Sequence, residues 1–185
     1  MKKAILAVLI LALLAGGAFA QKKLEPLMAP GDFAVNASVG YGFFWGAIDV
    51  AGGAELVLGQ FTIADFLPLT YGAAARASYY SYGSASYRWS YFGAGALGTL
   101  HLGLRDLDLP DGLEFLENVD SYIGLGLGYY GYSDNDAYAD YGSSRIGLVS
   151  MGGVSYFLTP NFALNFEGGY YGYGGGGLIG ILFKL

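Results

Sequence analysis

Three charged residues fall near the middle of segments in which apolar residues alternate with small or polar ones. Glu55, Arg76 and Glu167 each occupy the small or polar side of such a segment. A charge that is buried away from water needs an opposite charge and hydrogen bonds. The three side chains therefore predict an ion-pair network that fills the inside of a closed sheet. A gate or a substrate site built from the same residues is the alternative interpretation.

His101, the only histidine of the chain, is a candidate for a catalytic base. It falls near one end of the fourth predicted strand, whereas Ser78, Ser81, Ser84 and Ser86 lie near the opposite end. A nucleophile and its base must lie within hydrogen-bond reach of each other. The spacing therefore disfavours a lipid-modifying hydrolase, and we expect that the chain is not an enzyme.

Oxygen-bearing side chains cluster in one predicted loop, at Asp134, Asn135, Asp136 and Asp140. Such oxygens suit a hard cation such as Ca²⁺, but no Glu follows at the spacing that a calcium loop requires. The glycines of segment 93–98 match a dinucleotide motif by spacing alone, and no helix is predicted after them. We therefore expect a solvated acidic loop, no bound metal and no cofactor.

The first 20 residues have the three-part layout of a secretory signal peptide. Lys2 and Lys3 precede an apolar core, and Ala18-Phe19-Ala20 forms a small-x-small cleavage site. A retained anchor is the alternative, but the apolar core is shorter than the ~20 residues that span a membrane. We expect residues 1–20 to be removed during export, 21–30 to form a loose periplasmic leader and 31–185 to form one domain.

The composition excludes several classes of protein. Without cysteine, the chain forms neither disulfides nor thiolate metal sites. Loss of Lys2 and Lys3 leaves 7 basic and 15 acidic side chains, a formal charge of −8 that repels the phosphates of nucleic acids. Glycine-rich chains can be disordered, but 54% of the residues are hydrophobic, which favours a folded protein rich in strands.

Eight segments show the period-two alternation of β-strands. Because successive side chains of a strand point to opposite faces, each segment has an apolar face and a face of mostly Gly, Ala and Ser. A soluble sandwich would instead expose a face rich in Lys, Glu, Thr and Gln, whereas small residues suit the crowded inside of a narrow barrel. The predicted strands span residues 32–44, 48–58, 69–80, 89–102, 120–132, 144–156, 162–172 and 176–185.

Aromatic residues cluster at alternate ends of these strands. Tyr and Trp favour a membrane–water boundary because the ring is apolar while its OH or NH stays hydrated. Two aromatic belts around an apolar waist are typical of an outer-membrane barrel. The belt rich in Tyr and Trp is predicted to contain Tyr41, Phe43, Trp45, Tyr79, Trp89, Tyr91, Tyr129 and Tyr170. The opposite belt is predicted to contain Phe33, Phe61, Phe66, Phe157 and Phe162.

Lipid forbids an open sheet edge because no water is present to satisfy the unpaired backbone groups. We therefore predict an all-β fold, namely an eight-stranded antiparallel up-and-down transmembrane β-barrel. Side chains just fill the lumen of a barrel with eight strands. The longest connector, residues 103–119, lies at the end opposite the Tyr- and Trp-rich belt, and we predict a short helical turn over 110–118 at the periplasmic membrane surface.

The signal sequence, the tight turn Leu158-Thr159-Pro160-Asn161 and the alternating last strand resemble those of small outer-membrane barrels of the OmpA/OmpX type. The resemblance covers about residues 31–185 and implies location in the outer membrane of a Gram-negative-type bacterium. It also implies three partners: membrane lipid, the outer-membrane assembly machinery and periplasmic chaperones. The assembly machinery would read the last strand at Ile179, Ile181, Phe183 and Leu185.

The predicted function is that of an integral outer-membrane protein with a structural or surface-interaction role and a lumen closed by side chains. A narrow channel or a binder of small solutes is one alternative. A soluble periplasmic barrel that binds lipid is another. The negative charge argues against nucleic acid as a partner.

Overall fold

The computed structural model describes residues 25–41, 48–63, 67–83, 88–107, 109–134, 144–170 and 175–185. Eight antiparallel strands follow one another around a closed barrel, each paired with its neighbours in sequence. The predicted fold class is therefore confirmed. The strands are β1 (Phe33–Tyr41), β2 (Ile48–Ile63), β3 (Leu67–Gly83), β4 (Arg88–Gly103), β5 (Val119–Asp134), β6 (Arg145–Thr159), β7 (Phe162–Tyr170) and β8 (Gly175–Lys184).

The ring closes where the last strand pairs with the first. Ala34 lies opposite Lys184 and Tyr41 lies opposite Gly177 in this antiparallel ladder. A closed ring leaves no sheet edge along the paired residues, which is the condition for strands in hydrocarbon. We call the end of the barrel where β1 begins and β8 ends the proximal end, and the opposite end the distal end.

The outer wall is apolar on every strand. Alternate residues point outward, so the alternation of apolar with small or polar residues in the sequence produces an apolar outer surface. A transmembrane β-strand needs about 9–11 residues, and all eight strands reach that length or exceed it. Examples of exposed outward side chains, one for each strand in order, are Val39, Ile48, Tyr71, Phe92, Leu125, Leu148, Phe166 and Ile181.

Helical structure contributes little to the described residues. None of their helices has the length and apolar character needed to cross a membrane. Short 3₁₀ helices over Leu104–Asp106 and Glu114–Asn118 lie in the connector between β4 and β5. The second of these confirms that a helical turn forms within residues 110–118, and the Gly112 N–H donates to Glu114 Oε1 at 2.9 Å just before it.

The inner wall is narrow enough that glycine is required at particular positions. A Cβ placed on Gly53 would lie 2.5 Å from Cδ of Arg76, and a Cβ on Gly147 would overlap the Tyr130 hydroxyl. These inward glycines leave the space that the long side chains of neighbouring strands fill. The strand face made of Gly, Ala and Ser therefore provides the space for a few large side chains in the lumen.

The segment before β1 differs from the expected loose leader. Leu27 and Met28 are buried in an apolar cluster at the proximal end of the lumen. Gly31 has a positive φ of 94°, which turns the chain from the lumen into the wall. The cause is apolar burial, because Leu27 and Met28 cover the inward side chains that would otherwise face water. The cluster also contains Ala34, Val57, Phe157, Ala163 and Leu182.

Lys184 holds this segment in place from the last strand. Its Nζ donates to the Leu27 carbonyl oxygen at 2.7 Å and to Asp32 Oδ2 at 2.8 Å. The same ammonium lies 5.6 Å from the ring centroid of Phe157. The Ala29 N–H also donates to Asp32 Oδ2, at 2.8 Å. One cation therefore joins the leader, the start of β1 and the end of β8 at the seam of the barrel.

We expect Lys184→Met to release the leader, because the charged hydrogen bonds from Nζ are lost. The chain has no cysteine, so a single Met28→Cys substitution reports on the opening of this segment. Met28→Cys should resist a water-soluble thiol reagent in the folded barrel, and Met28→Cys combined with Lys184→Met should react at least several-fold faster.

Arg105→Met is the matched control for charge. Arg105 also lies at the proximal end, where its Nη2 donates to Asn118 Oδ1 at 3.4 Å rather than to the leader. Both changes are compared in the Met28→Cys background. Equal labelling rates for Lys184→Met and Arg105→Met there would show that Lys184 does not hold the leader.

Candidate functional site: a charged network inside the barrel

Arg76 is the centre of a buried charged network in the lumen. Its Nη2 donates to Glu55 Oε2 at 3.3 Å and its Nε donates to Glu167 Oε2 at 3.4 Å. Nη1 donates to the carbonyl oxygens of Ala54 at 3.2 Å and Ala75 at 3.4 Å. All three charged side chains are at least 95% buried. The structure thus brings together the three residues that the sequence analysis selected.

His101 extends the network toward the proximal end, and its membership of the network was not predicted from the sequence. Its Nε2 lies 2.7 Å from Glu55 Oε1 and its Nδ1 lies 2.7 Å from Asp120 Oδ2. Thr99 donates to the same Glu55 oxygen. The imidazole also stacks on Tyr122, with ring centroids 5.4 Å apart. A neutral imidazole has one N–H, so two carboxylate contacts require one further proton shared among the three groups.

Tyr122 connects the charged network to a neutral one on β6 and β7. Its hydroxyl lies 2.8 Å from Glu167 Oε2 and 2.9 Å from Asn165 Oδ1. The Ser155 hydroxyl donates to the same amide oxygen at 2.9 Å. A continuous chain of polar contacts therefore crosses the lumen from Asp120 to Ser155.

Two clusters of buried apolar side chains adjoin this network. On its proximal side lies the cluster that contains Leu27 and Met28. A second cluster lies on β3 to β6 and shares Tyr122 with the network. Its members are Ala74, Tyr91, Leu97, Tyr122, Tyr130, Val149 and Met151. In a medium of low dielectric constant, ion pairs and hydrogen bonds are strong and an unpaired charge is costly. The geometry therefore suits cohesion of the lumen better than turnover of a substrate.

The network departs from the arrangement of a hydrolase. Both ring nitrogens of His101 are occupied by carboxylates, and its side chain is 98% buried. A general base needs a free nitrogen within reach of the proton it removes. Ser78 lies on β3 beyond Arg76 in the distal direction, on the far side of the network. No group of three or more His, Cys, Asp or Glu suited to a metal occurs among the described residues. Asn135, Asp136 and Asp140 lie outside them.

The predicted Tyr- and Trp-rich belt is found only in part on the outer wall. Tyr79 and Tyr129 are exposed there, and the Tyr129 ring packs 6.0 Å from that of Phe92. Tyr41 and Tyr170 end their strands, and Trp89 lies near the start of β4, all toward the distal end. Phe43 and Trp45 lie outside the described residues.

The assignment of Tyr91 to this belt was wrong. Its side chain is 6% exposed and lies inside the lumen, where its ring centroid is 6.3 Å from that of Tyr130. The reason is strand parity: Phe92 points outward, so its neighbour Tyr91 must point inward. Phe157, which the sequence placed in the opposite belt, also points inward, next to the register shift between residues 157 and 159.

The last strand places its alternating residues on the outer wall. Exposed side chains there belong to Ile179, Ile181, Phe183 and Leu185. Its backbone pairs with β1 on one side and with β7 on the other. A row of apolar side chains at the closing strand is the surface that an assembly factor would meet, and the recognition step itself remains a prediction.

The closed sheet and its apolar outer wall define the class of protein: an eight-stranded transmembrane β-barrel. No family model matches the chain, and no curated protein matches it. Several solved structures of outer-membrane proteins are similar to it. At the identities and TM-scores found, these similarities assign no function to this chain, and the fold assignment rests on its own strand pairing.

Three of these structures illustrate the degree of similarity. The attachment invasion locus protein Ail of Yersinia pestis has 10% identity and a TM-score of 0.48 over 83% of this chain and 97% of its own. The N-terminal β-barrel domain of Pseudomonas aeruginosa OprF has 15% identity and a TM-score of 0.48 over 84% and 98%. The outer-membrane enzyme PagL has 12% identity and a TM-score of 0.48 over 82% and 98%.

We expect Arg76→Leu to leave Glu55 and Glu167 without their shared cation. Removing one partner of a buried ion pair costs about 3–5 kcal/mol, which corresponds to a fall in melting temperature of roughly 10 °C for a domain of this size. Arg76→Lys keeps the charge but not the planar fork, so its loss should be smaller. Thermal melts of the detergent-solubilised barrel measure both. An unchanged melting temperature for Arg76→Leu would exclude Arg76 from the network.

We expect His101→Leu to destabilise the barrel because it separates Glu55 and Asp120 from their common partner. The free energy of unfolding should fall by about 3–5 kcal/mol, and the combined change with Glu55→Gln and Asp120→Asn should recover much of it. Urea unfolding in lipid vesicles measures the series, with Leu100→Ala on the outer wall as the control for position. Full stability of His101→Leu alone would contradict the assignment.

Proposed function

We propose that the protein is an integral outer-membrane β-barrel with a structural or surface-interaction role and a lumen closed by side chains. The observation that carries this proposal is the distribution of polarity across the wall. Charged groups such as Glu55 and Arg76 are buried inside, whereas Ile, Leu, Val and Phe cover the outside. Water on the outside would make this arrangement unfavourable, and hydrocarbon makes it stable.

The same distribution argues against a soluble barrel that binds lipid. Such a protein would need an apolar cavity inside and a polar surface outside. Here the middle of the lumen holds Glu55, Arg76, Glu167, His101 and Asp120, and each exposed outward leucine or isoleucine would face water at a cost.

The filled lumen argues against a narrow channel. Two apolar clusters and the network between them occupy the interior along the described strands. Passage of an ion would require Arg76 to leave both of its carboxylates, and leaving buried charges unpaired is costly. Eight-stranded barrels generally have interiors that side chains just fill.

A structural role is also favoured over catalysis. The buried His101 has a carboxylate on each ring nitrogen, which suits a proton shared within the network more than one passed to a substrate.

The proposal also includes how the barrel reaches its membrane. The signal peptide, residues 1–20, directs export, and periplasmic chaperones and the assembly machinery, which recognises β8, then insert the barrel. We propose an orientation in which the distal end faces the outside of the cell and the connector between β4 and β5 faces the periplasm.

Two measurements test location and closure together. The protein should stay in the membrane fraction after a detergent-free alkaline wash, and it should migrate differently on gels before and after heating. Purified barrel in planar bilayers should show no sustained conductance steps. Release by the wash would favour the soluble alternative, and sustained steps would favour the channel.

Epitope tags test the orientation. A tag inserted between residues 140 and 141 should be reached by antibody on intact cells. The matched tag between residues 111 and 112, in the opposite connector, should be reached only after the outer membrane is permeabilised. The reverse pattern would overturn the proposed surface role of the distal end.

A further inference from the structure

A row of three inward-facing residues crosses the seam of the barrel. Asn165 on β7 lies directly opposite Gly180 on β8, and Gly180 lies directly opposite Ser38 on β1. Direct partners in an antiparallel sheet share a face. Asn165 and Ser38 are 0% and 5% exposed, so both side chains face the lumen on either side of the glycine.

Some polar atoms in and next to this row have no hydrogen-bond partner among the described residues. Asn165 Oδ1 is in contact with the hydroxyls of Tyr122 and Ser155, which leaves Nδ2 at the other end of the amide. That Nδ2, the Ser38 hydroxyl and Asn36 Oδ1 are all buried, and none has a hydrogen-bond partner within the described part of the chain. Buried polar groups in folded proteins are rarely left unpaired, and ordered water commonly satisfies them.

Asn165 Nδ2 and the Ser38 hydroxyl do not form a hydrogen bond with each other. They lie on the same face two strands apart, so a group placed between them can contact both. A water that bridges two polar atoms spans about 5.6 Å between them.

The Ser38 hydroxyl lies over Gly180. A Cβ at position 180 would overlap both this hydroxyl and the Ala37 carbonyl oxygen, so the glycine lets the hydroxyl approach β8 on the side of Asn165. The unpaired atoms include a donor on Asn165, an acceptor on Asn36 and a hydroxyl that can serve as either. A small molecule that both donates and accepts hydrogen bonds suits this set.

We propose that the β7–β8–β1 wall contains an internal hydration site, in which an ordered water bridges Asn165 and the Ser38 hydroxyl. The water accepts from Asn165 Nδ2 and donates to the Ser38 hydroxyl oxygen. Asn36, two residues earlier on the same face, accepts from a second water next to the first. Through Asn165 and Tyr122 the site joins the charged network at Glu167.

The sign of a single stability change tests the site. If a water bridges Ser38, then Ser38→Ala breaks that bridge, and the equilibrium constant for unfolding should rise by about tenfold. If the Ser38 hydroxyl is instead buried without any partner, its removal relieves an unfavourable group, and the constant should fall or stay the same. Urea unfolding in lipid vesicles gives the constant, and a fall or no change would overturn the proposal.

Ser78→Ala provides the matched control, because it removes a hydroxyl from the inner wall of β3, away from the row. It should change the unfolding constant less than Ser38→Ala does, and an equal or larger change would count against the site. A high-resolution crystal structure of the unaltered chain gives an answer that does not depend on any variant. Density for a water within about 3.2 Å of both Asn165 Nδ2 and the Ser38 hydroxyl is expected, and empty space there would overturn the assignment.

Discussion

The requirement that every backbone N–H and C=O in hydrocarbon find a partner governs this molecule. Pairing of β8 with β1 meets that requirement by closing the ring. Closure of only eight strands then makes the lumen narrow, and narrowness explains the inward glycines. The large inward side chains, Arg76 and Tyr130 among them, sit where glycines on neighbouring strands make room.

Polar residues fill the middle of the lumen, and two clusters of buried apolar side chains pack against them. Buried charges contribute little stability on their own account, but breaking their pairing is costly. The network of Arg76, Glu55, Glu167, His101 and Asp120 spans five strands, so a barrel with a shifted register would leave several charges unpaired. We infer that the network helps to specify one register of closure in addition to filling space.

Much of this fold could be predicted from the sequence because alternate residues of each strand face the lipid and the lumen, so the two faces appear as a period of two in the sequence. β4 was harder, since its two faces are similar in polarity: Leu97 points inward and Leu100 points outward. This ambiguity concealed the inward direction of Tyr91 and the position of His101. A usable signal existed on β5, where Asp120 and Tyr122 share the face of the inward Gly124. The burial of Leu27 and Met28 depends on tertiary packing, and no periodic pattern in the sequence around them predicts it.

β2 and β3 extend beyond the start of β1 at the proximal end. Phe33 pairs with Leu56, whereas residues 59–63 of β2 pair only with residues 67–71 of β3. The proximal rim is therefore uneven, higher at the β2–β3 hairpin than at β1. A neighbour drifting in the plane of the bilayer would meet a different height of wall from each direction, which gives an otherwise cylindrical body a preferred side for lateral contact.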